Sequence, residues 1–358
     1  MKAKGFVFAV LLAVIAALLC LNRSKPGDAP LAERASVQPA TARLPAHFIH
    51  DNQPQPVEGR PTNHFREYLN DTNSHKLTAE QVQAYLQANH RNAESLLAGL
   101  HTTGDRAFLR EAMERFPHDP KVAYTALFFG NLSPEESRQW ADNFKQSAPG
   151  NTMADYASAL NYLKSGQTDL AMQDMATAAK GSWTDYSWQF MESSEEAYRS
   201  AGYSDIDAKI ASQAPFELPD LAPLKQLGVQ LNQLAQSYQQ AGNAAAAQST
   251  LQLDLQLGQQ LSATDAQPLI TTLVGMAVEK IALSSMDPNA PYGNTGQTVQ
   301  DQINQLTQQR QYIRDITAQF ETVQPTMSDQ DILSFYERRQ AFGEPNAMQW
   351  AVSKYSPQ

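Results

Sequence analysis

Apolar residues recur at helical spacing through most of the chain after about residue 63. In one segment, Leu224, Leu227, Leu231, Leu234 and Tyr238 follow one another at steps of three and four, which places them on one helix face. A second long apolar face runs through residues 299–320. Strand-like alternation is rare. The pattern therefore predicts an all-α fold for residues 63–358.

Residues that begin and end helices divide this region into short segments. Capping-box spacing, in which Ser or Thr precedes Glu or Gln by three positions, occurs at Thr78/Gln81, Ser133/Glu136 and Ser193/Glu196. Ser204 and Ser328 are further candidates for capping a helix N-terminus. Glycines end apolar-periodic segments at positions 104, 150, 166, 202, 242 and 343. We expect a series of helices joined by short turns.

One segment carries the alternation of a strand. Leu251, Leu253, Leu255 and Leu257 are separated by polar residues. None of the four is β-branched, however, and Leu and Gln are good helix formers. We predict a helix that is apolar on two sides because it lies between neighbouring helices.

The N-terminus carries a continuous apolar segment. Residues 5–21 are seventeen residues without a charge, preceded by Lys2 and Lys4. As a helix they would reach about 25 Å, at the short end of what crosses a hydrocarbon core of about 30 Å. The segment predicts a single membrane anchor, with the bulk of the chain outside the cytoplasm, periplasmic or in the cell envelope in a bacterium.

Two alternatives to the anchor remain for this segment. A cleaved signal peptide would leave the protein secreted, but small residues at a cleavage site occur only around Ala16 and Ala17. A lipoprotein signal would use Cys20, yet the preceding residue is the bulky Leu19. The bulky residues near the end of the segment favour a retained anchor.

Proline marks the following segment as a tether. Residues 23–62 contain seven prolines, which remove backbone donors and block helix continuation. We therefore divide the chain into residues 1–22 as anchor or uncleaved signal, 23–62 as a flexible linker, 63–205 as a helical repeat region, and 206–358 as a second repeat region ending in capping helices.

Two predicted helical pairs share the pattern Ala-x-x-Tyr-x-x-x-Gly-x-x-x-x-Ala-x-x-x-Leu/Met. Its positions are Ala159, Tyr162, Gly166, Ala171 and Met175 in one pair, and Ala235, Tyr238, Gly242, Ala247 and Leu251 in the other. A degraded copy surrounds residues 112–124. The pattern resembles the tetratricopeptide (TPR) repeat over about a third of the chain, although Asp155 and Ser158 replace bulky residues and neither matched pair ends in proline. The alternative is an irregular helical domain in which both tyrosines are core residues.

The resemblance implies hairpins stacked in a superhelix, with the first helix of each pair facing a concave groove. The positions that it assigns to the groove are Met153, Tyr156, Leu160, Leu163 and Lys164 in the earlier pair, and Val229, Asn232, Gln236, Gln239 and Gln240 in the later one. Eleven glutamines fall between residues 226 and 260. Such amides can bind the backbone of an extended peptide, but a plain solvated face would have the same composition.

Composition and motifs argue against several kinds of chemistry. The net charge of −10 disfavours a nucleic-acid partner, and a single cysteine excludes a multi-cysteine metal site. The seven histidines, spread from residue 47 to 118, show no metal-ligand spacing and are interpreted as surface residues. The acid pairs Glu135–Glu136 and Glu195–Glu196 are interpreted as first-turn acids that stabilise helix dipoles. We predict no catalytic residue, no metal and no cofactor.

Three functions remain open for a chain of this kind. The favoured one is a membrane-anchored scaffold that binds a protein or an extended peptide. A cell-envelope hydrolase or lyase with paired acids is the second, and a self-associating spacer is the third. The aromatic cluster from Trp183 to Phe190 covers more than one helix face, which favours core packing over a carbohydrate-binding platform. The sequence leaves the oligomeric state undetermined.

Overall fold

The computed structural model describes residues 76–213, 216–263, 268–293 and 296–356. The predicted anchor and linker lie outside these residues, as do the first residues of the predicted repeat region. Within the part that is described, no helix is both long enough and apolar enough to cross a membrane.

The described chain forms fifteen α-helices, one 3-10 turn and one two-stranded hairpin, which confirms the all-α prediction. The helices are α1 (Ala79–Ala88), α2 (Ala93–Thr103), α3 (Arg106–Arg115), α4 (Pro120–Phe129), α5 (Pro134–Ser147), α6 (Thr152–Lys164), α7 (Thr168–Ala178), α8 (Ser187–Ser200), α9 (Asp205–Gln213), α10 (Leu221–Gln240), α11 (Ala244–Ser262), α12 (Leu269–Leu283), α13 (Val299–Val323), α14 (Asp329–Phe342) and α15 (Glu344–Tyr355). The 3-10 turn is Gln324–Thr326. Strands β1 (Pro291–Tyr292) and β2 (Gln297–Thr298) pair antiparallel, with Pro291 opposite Thr298.

Side-chain capping explains where several helices begin. Thr78 and Ser133 form complete capping boxes at α1 and α5, as predicted. Thr298 forms a third at α13, which the sequence analysis did not identify. The prediction for Ser193 is wrong: this serine lies inside α8, and its hydroxyl donates to the carbonyl oxygen of Gln189 at 3.0 Å.

Three helical hairpins share one turn. In α6–α7 the N–H of Gln167 donates to the carbonyl of Tyr162 at 2.8 Å, and in α10–α11 that of Asn243 donates to Tyr238 at 2.8 Å. The N–H of Tyr203 donates in the same way to the carbonyl of Tyr198 in α8–α9, at 3.2 Å. Each turn has a glycine at positive φ four residues after the tyrosine, at positions 166, 242 and 202. The third copy of this Tyr-x-x-x-Gly turn went unnoticed in the sequence.

The hairpins do not follow one another in a simple stack. Consecutive helices pack together from α1 to α7, but α8 packs against α2 and α9 against α14. The two hairpins that carry the shared sequence pattern meet directly, because α10 packs against α6 and α11 against α7. In a regular solenoid each hairpin contacts only its sequence neighbours, so this packing departs from the predicted stacking.

Small residues bring α10, α11 and α12 close together. A Cβ atom added to Gly258 of α11 would lie 2.6 Å from the backbone nitrogen of Glu279 on α12. Gly228 of α10 faces Val278 and the carboxylate of Asp254 in the same way. The leucines that alternate along α11 are buried or half-buried on two sides of the helix, as a sandwiched helix requires.

One hydrophobic cluster extends from Leu77 to Val352. It includes residues of α1–α9 and of α10–α15 alike. The predicted boundary between residues 205 and 206 falls at the start of α9, which packs against both α8 and α14.

Candidate binding site

The earlier half of the predicted groove is mostly covered. On α6, Met153 and Tyr156 are buried, Tyr156 being 1% exposed, and the Tyr156 hydroxyl donates to Oε1 of Gln260 on α11 at 2.8 Å. Leu160 is also buried. Leu163 is half-buried and Lys164 is exposed. Because α10 packs on α6, the face assigned to an open groove is largely a contact between two hairpins.

Amide side chains in the later half of the predicted groove form hydrogen bonds within the protein. Asn232 is 7% exposed, and its Nδ2 donates to the carbonyl of Ile281 and to the Ser285 hydroxyl at 3.1 and 2.9 Å. Nε2 of Gln236 donates to Oδ1 of Asn232 at 2.8 Å, and Nε2 of Gln239 lies 3.5 Å from the Ser285 carbonyl. Asn232 and Gln239 donate hydrogen bonds to carbonyl groups at and just after the C-terminal end of α12, which lack partners within the helix. Asn232 is therefore not available to a partner.

Val229 is half-buried, whereas Gln236, Gln239 and Gln240 are exposed. None of these four is among the residues that line the two cavities described below.

Two predicted residues do line a concave site, which we call the Leu160 groove. It is a cleft of about 280 Å³ between the end of α4, the start of α5, α6 and the first turn of α10. Leu127, Phe128, Leu132, Leu160 and Pro223 form its apolar wall, and Lys164 is the charged residue among its described lining. The first three of these wall residues are half-buried, so apolar surface remains accessible there.

A larger cavity lies at the junction of α2, α8 and α9, and we call it the His101 pocket. Its volume is about 340 Å³, within the range of small-molecule sites. Leu100, Phe129, Tyr198 and Phe216 contribute apolar walls. The exposed side chains of Lys76, Arg106 and Glu217 stand among its lining residues, which gives the pocket two cations and one anion.

His101 lies in an aromatic environment. Its ring centroid is 5.4 Å from that of Phe129, 5.0 Å from Phe190 and 5.2 Å from Phe216. Burial lowers the pKa of His101 to about 4, so the imidazole is neutral at pH 7. Its Nε2 is buried and has no hydrogen-bond partner among the described residues. His101 as a whole is half-buried, so its interpretation as a surface residue fails for the Nε2 side of the ring.

The acid pairs singled out in the sequence have structural partners. Glu136 caps α5 through Ser133, and Glu135 pairs with Arg138 at 3.1 Å, as expected for first-turn acids. Glu195 and Glu196 instead lie inside α8, which corrects their assignment to a first turn. Glu195 is buried and pairs with Arg199 of its own helix and Lys209 of α9.

Two other acids, Asp220 and Asp185, lie close enough together for the charge of one to affect the pKa of the other. The hydroxyl of Tyr124 donates to Oδ1 of Asp220 at 2.9 Å, and Asp220 is 1% exposed. Burial, with a smaller contribution from the charge of Asp185, raises the pKa of Asp220 to about 7, although the Tyr124 hydrogen bond opposes the rise. Burial also raises the pKa of Asp185. Since neither acid lines either cavity, a substrate in those cavities does not reach them.

His101, Phe216 and Asp220 are the main features that the sequence analysis missed. Their contacts are with residues from distant segments of the chain, so no spacing along the sequence predicts them. Among the described residues, no group of three or more His, Cys, Asp or Glu side chains is arranged to hold a metal ion.

Comparison with known proteins gives no relative for this chain. No protein-family model, no curated protein and no solved structure matches it.

Proposed function

We propose that this chain is a membrane-anchored, exported protein of helical hairpins that binds an extended segment of a partner protein. The observation that carries the proposal is the Leu160 groove. Its half-buried wall residues leave apolar surface open at the edge of a folded hairpin, and accessible apolar surface in a cleft favours a partner's side chain. The uncharged segment at residues 5–21 supports the anchor.

The groove also suggests the chemistry of its occupant. Lys164 is exposed beside the apolar wall, and no acidic residue is among the described residues that line the groove. A large apolar side chain would fill the cleft, and a neighbouring carboxylate would meet Lys164. The partner segment is therefore an extended peptide with an apolar residue next to an acidic one.

Selection from a displayed peptide library tests this proposal on the full chain in lipid nanodiscs. Ala157 lines the groove, so Ala157→Trp fills it, while Lys164→Glu reverses its charge. We expect the enriched peptides to combine an apolar and an acidic residue, to lose binding to Ala157→Trp, and to bind Lys164→Glu about fivefold or more weakly.

Lys180→Glu is the matched control, because Lys180 is exposed and does not line the groove. It should leave peptide affinity unchanged, and circular dichroism should confirm that every variant is folded. Peptides that bind Ala157→Trp as tightly as the wild type would refute the groove as the binding site.

A further inference from the structure

The His101 pocket has properties that the proposed peptide groove does not use. It lies at the junction of α2, α8 and α9, whereas the Leu160 groove lies between α4, α5, α6 and α10. The two share no lining residue. The pocket therefore requires an explanation of its own.

The interior of this pocket suits an aromatic group. Phe129 and Phe216 both line it and both lie against the His101 ring. Offset and edge-to-face contacts between rings are favourable beyond the burial of apolar area. A planar ligand ring would extend the cluster that these side chains already form.

His101 lines the pocket, and its ring nitrogen Nε2 is closed off from solvent by the surrounding side chains. A buried polar atom without a partner is unfavourable, because it has lost water and gained nothing in return. A neutral imidazole nitrogen either donates or accepts one hydrogen bond. A ligand hydroxyl can serve in either sense, so it would satisfy this atom in either tautomer once the His101 ring turns its Nε2 towards the pocket.

The mouth of the pocket carries the complementary charge. Among the described residues that line the pocket, the exposed Lys76 and Arg106 outnumber Glu217, in a chain whose net charge is −10. A guanidinium group binds a carboxylate through paired hydrogen bonds. A local excess of positive charge at an aromatic pocket therefore favours an organic anion.

We propose that the His101 pocket binds a small aromatic carboxylate, with its ring among Phe129, Phe216 and His101 and its carboxylate at Arg106 and Lys76. A hydroxyl on the ring hydrogen-bonds Nε2 of His101. Small-molecule binding at this site is independent of the peptide groove.

Three probes separate these contributions by isothermal titration calorimetry on the full chain in nanodiscs. They are 3-(4-hydroxyphenyl)propionate, 3-phenylpropionate, which lacks the hydroxyl, and 3-phenylpropionamide, which lacks the charge. We expect the affinity to fall at least about fivefold at each step in that order, as expected for one lost hydrogen bond or charge pair.

Variants assign each step to a residue. Arg106→Gln should remove most of the advantage of 3-phenylpropionate over its amide, whereas Arg314→Gln, which changes an exposed arginine of α13, should not. His101→Phe should abolish the advantage of the hydroxylated probe. If His101→Phe does not fold, the Arg106 comparison still decides the proposal. It is overturned if no probe binds, if the amide binds as tightly as the acid, or if Arg314→Gln has the same effect as Arg106→Gln.

Discussion

Asp254 places a carboxyl group inside the interface of α10, α11 and α12. It is 0% exposed, and neither carboxylate oxygen has a hydrogen-bond partner among the described residues. Its surroundings include Gly228, whose added Cβ would lie 3.0 Å from Oδ1. Burial raises the pKa of Asp254 well above its usual value, so the folded protein holds this group in its neutral form.

The cost of this arrangement follows from linkage. In the unfolded chain an aspartate has a pKa of about 3.9 and ionises freely. Because the folded-state pKa of Asp254 is raised, the stability that depends on its protonation is fully present below about pH 3.9. This part of the stability is lost as the pH rises towards the folded-state pKa. Each pH unit over which the folded carboxyl stays protonated while the unfolded one is ionised costs about 1.4 kcal/mol.

Asp254→Asn removes the ionisation while keeping the shape of the side chain. We expect the free energy of unfolding of the variant, relative to the wild type, to rise by about 1.4 kcal/mol per pH unit from about pH 4 up to the folded-state pKa of Asp254. Urea unfolding followed by circular dichroism at 222 nm, at one-unit steps from pH 4 to pH 8, measures this difference. The slope is the test, because an unpartnered amide adds an offset that does not depend on pH.

Glu279 is the other buried acid of this interface, and burial raises its pKa too, against hydrogen bonds from Ser262 and Gln302. Its contribution is present in both proteins and cancels in the difference. Gln252→Asn, which changes an exposed, uncharged residue of α11, is the control and should give no pH-dependent gain. A difference between Asp254→Asn and the wild type that stays flat from pH 4 to pH 8 would show that Asp254 is not held neutral in the fold.

Two further substitutions test the packing of the hairpins by the same urea measurement. Tyr156→Phe removes the hydrogen bond to Gln260 that joins α6 to α11 and should lower the free energy of unfolding by about 1 kcal/mol; an unchanged midpoint would mean that this bond adds nothing to the contact. Gly258→Ala forces a Cβ to within 2.6 Å of the backbone nitrogen of Glu279 and should cost about 3 kcal/mol. Gly99→Ala meets only the Phe108 ring at 3.2 Å and should cost less, so the reverse order would contradict the close approach of α11 and α12.

Local hydrogen bonding made the helix boundaries predictable. Thr78 and Ser133 cap their helices because the whole interaction lies within four consecutive residues. The same spacing failed at Ser193 because the chain enters α8 earlier, where the N–H of Ser187 donates to the carboxylate of Asp185 at 2.6 Å. Inside a helix, a serine hydroxyl donates a hydrogen bond to the carbonyl oxygen of the preceding turn.

The candidate sites are formed by contacts between segments that are distant in the sequence, and no local pattern predicts such contacts. Leu160 and Lys164 line the Leu160 groove, whereas Tyr156 and Asn232 are buried by helices from distant segments of the chain. His101 was assigned to the surface because it lies in the last turn of α2, next to polar residues. Its aromatic neighbours come from α4, α8 and the segment before α10.

The three Tyr-x-x-x-Gly turns show how one local motif leads to different surfaces. The turns share their backbone hydrogen bonds, yet Tyr162 and Tyr238 are half-buried while Tyr198 is buried. The difference lies in the packing partners. Helix α8 packs against α2 and α9 packs against α14, and both partners are distant in the sequence. Tyr198 thereby becomes a wall of the His101 pocket, which a regular stack of the same hairpins would not form. The pocket thus depends on helix contacts that hairpins stacked in chain order would not make.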